Sequence, residues 1–342
     1  MDKKDTVQKT QIRVAIFGVG GMGVSHLQCL LDLPGVEIVA ICDRDQPALD
    51  AALLKIKKPV PVSLDGPAFA ATVDCDYAVV IVPNPARLPI VERLLARKIP
   101  LFMEKPAAHS LKDFEKILRW RRASGVPVMV GQNYRFDPAP RAIRKLIASG
   151  EIGEVLGVHG RFQRSHFIAE TAYYGKLPDV LPFRVEMVIH HMDLVAYWVG
   201  SAPARVAADG FRTAISWGVG QMGCDILARF ENGTRLNYHG DWSIATNLTS
   251  FNGHWIICGS KGTIRWEDGP IILKRRPAAR HDGENGEEIR ITPATKGPSS
   301  LNTEHQEFIA ALQEGRMPES EIEENVRSMR LCLQAAEQNC LA

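Results

Sequence analysis

The stretch Ile16-Phe17-Gly18-Val19-Gly20-Gly21-Met22-Gly23 decides the fold of this chain. It ends an apolar run that begins at Ile12 and opens a helix-length amphipathic segment, which is the strand–turn–helix context of a dinucleotide fingerprint. In such a turn Gly18 permits the sharp bend, Gly20 lets the backbone approach a pyrophosphate, and Gly23 allows close helix packing. The helix N-terminus then faces the phosphates, because its free N–H groups favour anions. The stretch predicts a Rossmann unit.

An acidic residue stands where the second strand of such a unit ends. Asp43 follows Gly23 by 20 residues, the spacing at which a carboxylate reaches the adenosine ribose hydroxyls and repels a 2′-phosphate. This favours NAD as the cofactor. Arg44 comes next, and an arginine there can pair with the 2′-phosphate of NADP or stack on adenine, so NADP stays open as the alternative.

Short apolar runs alternate with amphipathic segments from Gln11 to Val130, a pattern typical of βαβ units around a parallel sheet. The predicted strands are rich in Val and Ile and cover 12–17, 37–42, 77–82, 100–103 and 126–130. The predicted helices cover 24–33, 47–57, 86–97 and 111–124. The fold class is therefore α/β, beginning with a doubly wound parallel sheet.

The pattern changes near Gln132, where the chain becomes rich in β-type sequence. We expect a dinucleotide-binding domain over 11–133 and a second α/β domain over 134–320, with an open, mainly antiparallel sheet. Its predicted strands cover 156–163, 204–211, 225–230, 234–242, 255–259, 263–266 and 271–274. Residues 277–300 are predicted as an exposed loop or hairpin. Two helices follow, 301–314 and 321–339, and the last is expected to pack back on the first domain.

Composition narrows the class of protein. At 342 residues the chain exceeds the size of a single core, so two domains are expected. A net charge of +2 without a long basic block argues against nucleic acid as a partner. The seven cysteines show no Cys-x-x-Cys spacing, which favours reduced thiols and a cytoplasmic location. The apolar stretch after the polar N-terminus is too short to act as a membrane anchor.

Several short motifs follow one another in a specific order. They are the fingerprint, Val82-Pro83-Asn84, Glu104-Lys105-Pro106, Gly131-Gln132-Asn133-Tyr134-Arg135-Phe136-Asp137-Pro138, Gly150-Glu151-Ile152-Gly153 and His190-His191-Met192-Asp193. With these motifs the chain resembles the Gfo/Idh/MocA family of glucose–fructose oxidoreductases and inositol dehydrogenases, over nearly its whole length. The resemblance implies a Rossmann domain, an α/β domain with an open sheet, and a cleft between them for nicotinamide and substrate.

The resemblance also implies chemistry: hydride transfer between nicotinamide and a secondary alcohol or ketone of a sugar, inositol or related polyol. As hydride leaves carbon, charge builds on the oxygen, so the Lys105 ammonium can hold the developing alkoxide while His190 removes the proton. A helix predicted over 185–199 would place Glu186 four residues before His190 on the same face. The family pattern has an aspartate at that position, and Glu186 is one methylene longer.

The fingerprint and the resemblance together assign a set of residues to the cofactor. They are Gly18, Val19, Gly20, Gly21, Met22, Gly23, Asp43, Arg44, Val82, Pro83, Asn84, Arg87, Glu104, Lys105 and Gln132. Many relatives carry His where this chain has Arg87, which leaves two interpretations: contact with the cofactor or an anionic substrate group, or a solvated arginine at a helix start. The resemblance also suggests a cis peptide bond before Pro106.

Candidates for contact with the polyhydroxylated substrate are Arg135, Arg164, His166, Tyr174, Arg184 and His191. Cations in this number suit hydroxyl or carboxylate groups. A carboxylate–imidazole cluster also binds zinc or iron, but adjacent His190 and His191 diverge on a helix, so no metal is predicted. The exposed face of an open sheet commonly packs against another subunit, so we expect a homodimer or homotetramer.

Two other functions stay open from the sequence. One is a catalytically silent regulator that senses a dinucleotide or sugar with the same two-domain body. Lys105 and His190 argue against it, because a pure sensor has no chemical need for an acid–base pair. The other is a hydrolase or eliminase that keeps its cofactor bound and uses hydride transfer transiently.

Overall fold

The computed structural model describes residues 11–165, 181–216, 220–277, 286–294 and 299–337. Two expected substrate residues, His166 and Tyr174, lie outside these ranges. The described residues form two compact units. The first comprises the residues up to Gln132 and those from 299 to Glu324, and the second comprises those from Asn133 to 294 and those from Asn325 onward.

The secondary structure of the described ranges alternates in the first part and becomes β-rich later. The strands are β1 Ile12–Phe17, β2 Val36–Cys42, β3 Val62–Ser63, β4 Tyr77–Val80, β5 Leu101–Glu104, β6 Val128–Gly131, β7 Val155–Gln163, β8 Pro203–Phe211, β9 Gly223–Phe230, β10 Arg235–Asp241, β11 His254–Gly259, β12 Gly262–Trp266, β13 Ile271–Arg275 and β14 Glu288–Ile291. The helices are α1 Met22–Asp32, α2 Gln46–Ile56, α3 Gly66–Ala70, α4 Asn84–Ala96, α5 Leu111–Ser124, α6 Pro138–Ala148, α7 Leu181–Arg184, α8 Val188–Val199, α9 Ser300–Glu314 and α10 Ile322–Glu337, with a 3₁₀ helix at Asn133–Phe136. Among the helices described, none is long and apolar enough to cross a membrane.

A parallel sheet in the order β3-β2-β1-β4-β5-β6 forms the centre of the first unit. This is the Rossmann order, which reverses between β1 and β4 and leaves a crevice at the carboxyl ends of the strands. Strands β4, β5 and β6 are buried at every position, as expected where helices cover both faces. The predicted doubly wound sheet is confirmed. The short elements β3 and α3 were not predicted.

Helix α9 completes the first unit, although the sequence interpretation placed 134–320 in the second domain. The Phe308 ring lies edge-on to Tyr77 of β4 at 5.2 Å, and the His305 ring lies 4.4 Å from the ring of Phe102 in β5. Burying these aromatic rings against the sheet ties α9 to the first unit. The helix predicted over 321–339 was expected to pack back on the first domain. The residues of α10 from Asn325 onward instead belong to the second unit.

The second unit is built on a sheet in the order β14-β13-β12-β11-β7-β10-β9-β8. In the described ranges its neighbouring strands are antiparallel, except that β7 and β10 run parallel. One face carries a buried row in register across five strands: Ala228, Leu236, Val158, Ile257 and Ile264. The predicted open, mainly antiparallel sheet is confirmed. Strand β14 lies inside the segment predicted as a loop or hairpin and pairs with β13.

Helix α8 begins three residues later than the predicted start of the 185–199 helix. Residues 185–187 form a turn in which the Met187 N–H donates to the Phe183 carbonyl at 3.0 Å, while the His190 N–H donates to the Met187 carbonyl at 3.2 Å. Glu186 therefore precedes the helix, and the prediction that it shares a helical face with His190 is wrong. The i, i+4 geometry requires both residues to be helical.

Candidate functional site

Two glycines of the turn after β1 are fixed by close backbone contacts. A Cβ at Gly18 would lie 2.6 Å from the Ile81 carbonyl oxygen, and the φ angle of Gly18 is +95°. A Cβ at Gly23 would lie 2.2 Å from the carbonyl oxygen of Gly18. No side chain fits at either distance, so glycine is required at both positions for the turn to bring α1 directly against β1.

The middle of the turn is open instead. The nearest atom to a Cβ at Gly20 would be Asp43 Oδ2 at 3.9 Å, and a Cβ at Gly21 would meet nothing within 4 Å. Protein packing therefore leaves free the space where the pyrophosphate of a dinucleotide lies in a Rossmann unit. Met22, half exposed, begins α1 beside this space.

Asp43 joins the end of β2 to the glycine turn. Its Oδ2 accepts from the N–H of Val19 at 2.8 Å and from the N–H of Gly20 at 3.2 Å, while Oδ1 accepts from the N–H of Asp45 at 3.1 Å. The carboxylate is thus held at the carboxyl end of the sheet, beside the exposed Arg44. A fixed negative charge at this place is the arrangement expected for a site that takes ribose hydroxyls.

Gln132, directly after β6, has a buried side chain whose polar atoms a ligand could satisfy. It is 1 % exposed, yet neither Oε1 nor Nε2 has a hydrogen-bond partner among the described residues. A buried amide left in this state is costly, and a group with both a donor and an acceptor would satisfy it. Because β6 belongs to the same sheet as the glycine turn, the residues at this edge fit a bound dinucleotide.

The two kinds of glycine should respond differently to substitution. We expect Gly20→Ala to keep the melting temperature of the protein and raise the Kd for NAD at least about tenfold, since its Cβ enters the space for the pyrophosphate. Gly23→Ala should instead destabilise the fold by about 1–3 kcal/mol through overpacking. Calorimetric titration with NAD and thermal unfolding measure both. An unchanged Kd in Gly20→Ala would mean that the cofactor does not lie over this turn.

The segment Glu104-Lys105-Pro106 ends β5 at the same carboxyl edge of the sheet. The Lys105–Pro106 peptide bond is cis, as expected. Arg87 Nη1 donates to the carbonyls of Glu104 at 2.7 Å and Pro106 at 2.5 Å, and Asn84 Nδ2 donates to the Pro106 carbonyl at 3.2 Å. The backbone around the half-buried Lys105 is therefore held by side chains from the start of α4.

The side chain of Glu104 points into the unit and joins a buried histidine pair. His26 Nε2 donates to Glu104 Oε1 at 2.8 Å, and His26 Nδ1 lies 2.8 Å from His305 Nε2. Burial raises the pKa of Glu104, but the hydrogen bond and charge of His26, together with Lys105 and Arg87, outweigh it and leave the pKa below the usual value. Burial, reinforced by His26, holds the pKa of His305 well below its usual value, so His305 is neutral.

Sequence reasoning missed both histidines. His26 lies three residues after Gly23, on the helix face that also buries Leu27 and Leu30, so a polar residue on an apolar face was the available signal. His305 gave the same signal, because its helix face also buries Phe308 and Ala311, but its pairing with His26, 279 residues away, had no local sign.

In the second unit, His190 is held beside an aromatic ring. Its imidazole stacks on Tyr134 with ring centroids 4.1 Å apart and an interplanar angle of 11°. His190 is 7 % exposed and Glu186 is 5 % exposed, so both candidate acid–base residues are largely withdrawn from water. A stacked, buried imidazole has few rotamers, which suits a group that must be oriented for proton transfer.

Three expected substrate residues are instead engaged inside the second unit. Arg135 forms a two-pronged pair with Asp193, and the Arg184 Nη2 donates to Gln221 Oε1. His191 Nε2 donates to the Phe251 carbonyl at 2.8 Å while its Nδ1 accepts from the Tyr238 hydroxyl at 2.7 Å. Burial lowers the pKa of His191 to about 4. This geometry argues for a role of these side chains in the interior rather than at a substrate.

Arg164 is less enclosed. Its Nη1 donates to the Thr249 carbonyl at 2.9 Å, and its guanidinium lies 4.3 Å from the centroid of the Phe251 ring. Within the described ranges, no group of three or more His, Cys, Asp or Glu side chains is placed to hold a metal ion.

The fold and the carboxyl edge of the first sheet define a dinucleotide-binding architecture, and comparison with known families agrees. Residues 12–132 match the oxidoreductase family model described as the NAD-binding Rossmann fold, and residues 141–265 match the Gfo/Idh/MocA C-terminal domain. The chain belongs to the Gfo/Idh/MocA family. It is therefore a member of an NAD-binding oxidoreductase family.

Several relatives are named dehydrogenases. The chain is 26% identical over 320 residues to an inositol 2-dehydrogenase of Rubrobacter xylanophilus, covering 90% of this chain and 85% of that one. It is 29% identical over 270 residues to a D-apiose dehydrogenase of Rhizobium rhizogenes, covering 76% and 74%. An oxidoreductase from Agrobacterium radiobacter, solved with NAD+, L-tartaric acid and magnesium, superposes with a TM-score of 0.86 at 21% identity over 97% of each chain.

Proposed function

We propose that this protein is an NAD-dependent dehydrogenase or reductase that transfers hydride between nicotinamide and a secondary alcohol or ketone of a sugar, inositol or related polyol. The observation that carries the proposal is the placement of Lys105 on the sheet edge that holds the glycine turn, Asp43 and Gln132. The curated names of the relatives, inositol 2-dehydrogenase and D-apiose dehydrogenase, support the substrate class.

Each proposed residue has one task. When bound, the nicotinamide accepts or supplies the hydride. Lys105 holds the substrate oxygen as negative charge develops on it, and His190 takes the hydroxyl proton in the oxidative direction. Glu186, in the turn before α8, orients the His190 imidazole. The remaining candidates for the substrate hydroxyls are Arg164, His166 and Tyr174.

We propose NAD rather than NADP as the physiological cofactor. The Asp43 carboxylate is fixed by two hydrogen bonds to the turn, so it cannot swing away from a 2′-phosphate without breaking them. Calorimetric titration compares the two dinucleotides. A tighter Kd for NADP would show that Arg44 dominates this corner of the site.

The direct test is absorbance of the reduced nicotinamide while the purified protein, with NAD or NADP, is offered myo-inositol, D-apiose, other sugars and sugar acids. A cofactor- and substrate-dependent signal supports the proposal. Dinucleotide binding without turnover on any compound would favour a regulator, and cofactor that appears in solution only after denaturation would favour an enzyme that keeps it bound.

We infer the quaternary and cellular setting from the second unit and the thiols. Leu227 and Ile256 expose apolar side chains on the outer face of the eight-stranded sheet, and we expect this face to form a homodimer or homotetramer. Light scattering on the protein as it elutes from a size-exclusion column measures the oligomeric state. A monomer at micromolar concentration would contradict the expected homodimer or homotetramer. The cysteines in the described ranges are free thiols, which agrees with a cytoplasmic enzyme.

A further inference from the structure

Arg87 is buried beneath the segment that carries Lys105. It is 3 % exposed and lies in the first turn of α4. Its Nη1 donates to the carbonyls of Glu104 and Pro106, the residues immediately before and after Lys105. Its Nε and Nη2 donate to the Val82 carbonyl at 3.2 and 3.0 Å, in the loop after β4. One guanidinium therefore joins the two loops at the carboxyl ends of neighbouring strands.

We propose that Arg87 is a positioning residue, which fixes the backbone carbonyls of the two residues that flank Lys105 and thereby the place of the Lys105 ammonium. The inference rests on the proposed function, in which Lys105 holds the substrate oxygen. It assigns Arg87 a task different from contact with cofactor or substrate.

The chemistry of the side chain explains why an arginine serves here. A guanidinium presents five N–H groups in a rigid planar fork, so it can donate to three carbonyls at once. An ammonium offers three donors around one nitrogen on a flexible stem and cannot span the same carbonyls. Burying the charge is tolerable because the Glu104 carboxylate lies in the same segment and is itself held by His26.

The segment is thus fixed at two levels. Arg87 and Asn84 hold its backbone, while His26 holds the Glu104 side chain from α1, the helix that begins at the glycine turn. A group that stabilises an alkoxide must be placed within a fraction of an ångström, and a misplacement of about 1 Å costs about 10²-fold in rate. Loss of the hydrogen bonds from the Arg87 guanidinium should therefore slow the chemical step.

The chain offers a control residue at the other end of the same helix. Arg97, which follows α4, also donates to two backbone carbonyls, those of Ala70 at 3.0 Å and Val73 at 2.7 Å. The separation of ten positions between the two arginines corresponds to about 15 Å along a helix. Arg97→Lys therefore removes the same kind of contact far from Lys105.

We expect Arg87→Lys to lower kcat about 10²-fold while the Kd for NAD changes less than about twofold, and Arg97→Lys to leave kcat as in the wild type. Hydrogen–deuterium exchange supplies a readout that needs no substrate. The amides of Lys105, Ala107 and Ala108 should exchange about tenfold faster in Arg87→Lys and at the wild-type rate in Arg97→Lys. Arg87→Gln gives the same comparison if Arg87→Lys does not fold.

The outcomes separate this inference from the proposed function. Unchanged exchange in Arg87→Lys would overturn the inference, whatever the activity of the protein. Faster exchange with unchanged kcat would also overturn the inference, because the hydrogen bonds from Arg87 would then have no effect on the placement of Lys105. If the wild-type protein binds NAD but turns over no compound, the proposed function is refuted. Faster exchange in Arg87→Lys would in that case still support the role of Arg87 in fixing the backbone around Lys105.

Discussion

Replacing Lys105 by Ala should lower kcat about 10³-fold, which corresponds to about 4 kcal/mol of lost transition-state stabilisation. The reason is that the ammonium interacts most strongly with the substrate oxygen when that oxygen carries negative charge. The Kd for NAD should change less than about threefold, because the glycine turn, Asp43 and Gln132 remain in place. Stopped-flow absorbance of the reduced nicotinamide and calorimetric titration measure the two quantities.

Lys112 provides the control for this substitution. It is an exposed lysine seven residues further on, in the first turn of α5. Lys112→Ala should keep both kcat and the Kd for NAD. Turnover in Lys105→Ala within about tenfold of the wild type would remove Lys105 from the chemistry and would move the search to His190.

Replacing Asp193 by Ala should destabilise the second unit by about 3–5 kcal/mol, because it leaves the Arg135 guanidinium buried without its counter-charge. Arg135 Nε lies 2.8 Å from Asp193 Oδ2, and the side chains are 5% and 1% exposed. The guanidinium also lies 5.1 Å from the centroid of the Tyr197 ring, which holds it in place. Urea unfolding followed by tryptophan fluorescence measures the change, since Trp198, Trp242 and Trp255 are all buried in this unit.

An exposed pair of the same geometry serves as the comparison. Arg122 donates from Nε and Nη2 to both carboxylate oxygens of Glu323 at 2.7 Å, but its side chain is 60% exposed. Arg122→Ala should leave the unfolding midpoint unchanged, because water replaces the lost partner. The double change Arg135→Met with Asp193→Leu should recover most of the loss. If Asp193→Ala altered only the KM for substrate, Arg135 would be a substrate residue after all.

The first unit shows which features of the fold a local sequence pattern can predict. The strand–turn–helix context of Gly18–Gly23 and the buried apolar runs are local properties, so they predicted the parallel sheet and the cofactor edge. Asp43 was predicted by spacing alone, and its carboxylate accepts from the N–H groups of the glycine turn. The position of α9 was missed because the segment from Ser300 carries an amphipathic pattern that fits either domain, and only the packing of Phe308 against Tyr77 decides between them.

The candidate site was harder to predict for the same reason. The residue types of Lys105, His190 and Arg87 pointed to chemistry, but whether a cation faces a ligand or a carbonyl depends on neighbours distant in sequence. Arg87 finds its carbonyls 17 and 19 residues away, and Arg135 finds Asp193 58 residues away. A polar residue on an apolar helix face, as at His26, is the sequence signal that would have extended the prediction of the candidate site to the buried residues that hold Glu104.

The contribution of α9 to the first unit bears on how the chain is made. Phe102 of β5 is covered by His305 and Phe308, about 200 residues later in synthesis. At a translation rate of about 5–20 residues per second, the interval is roughly 10–40 s, during which Phe102 has the His26 ring beside it but lacks the cover of α9. The eight-stranded sheet of the second unit is therefore synthesised before α9, so the Rossmann unit, whose own sheet is synthesised first, is completed only after that second sheet has been made.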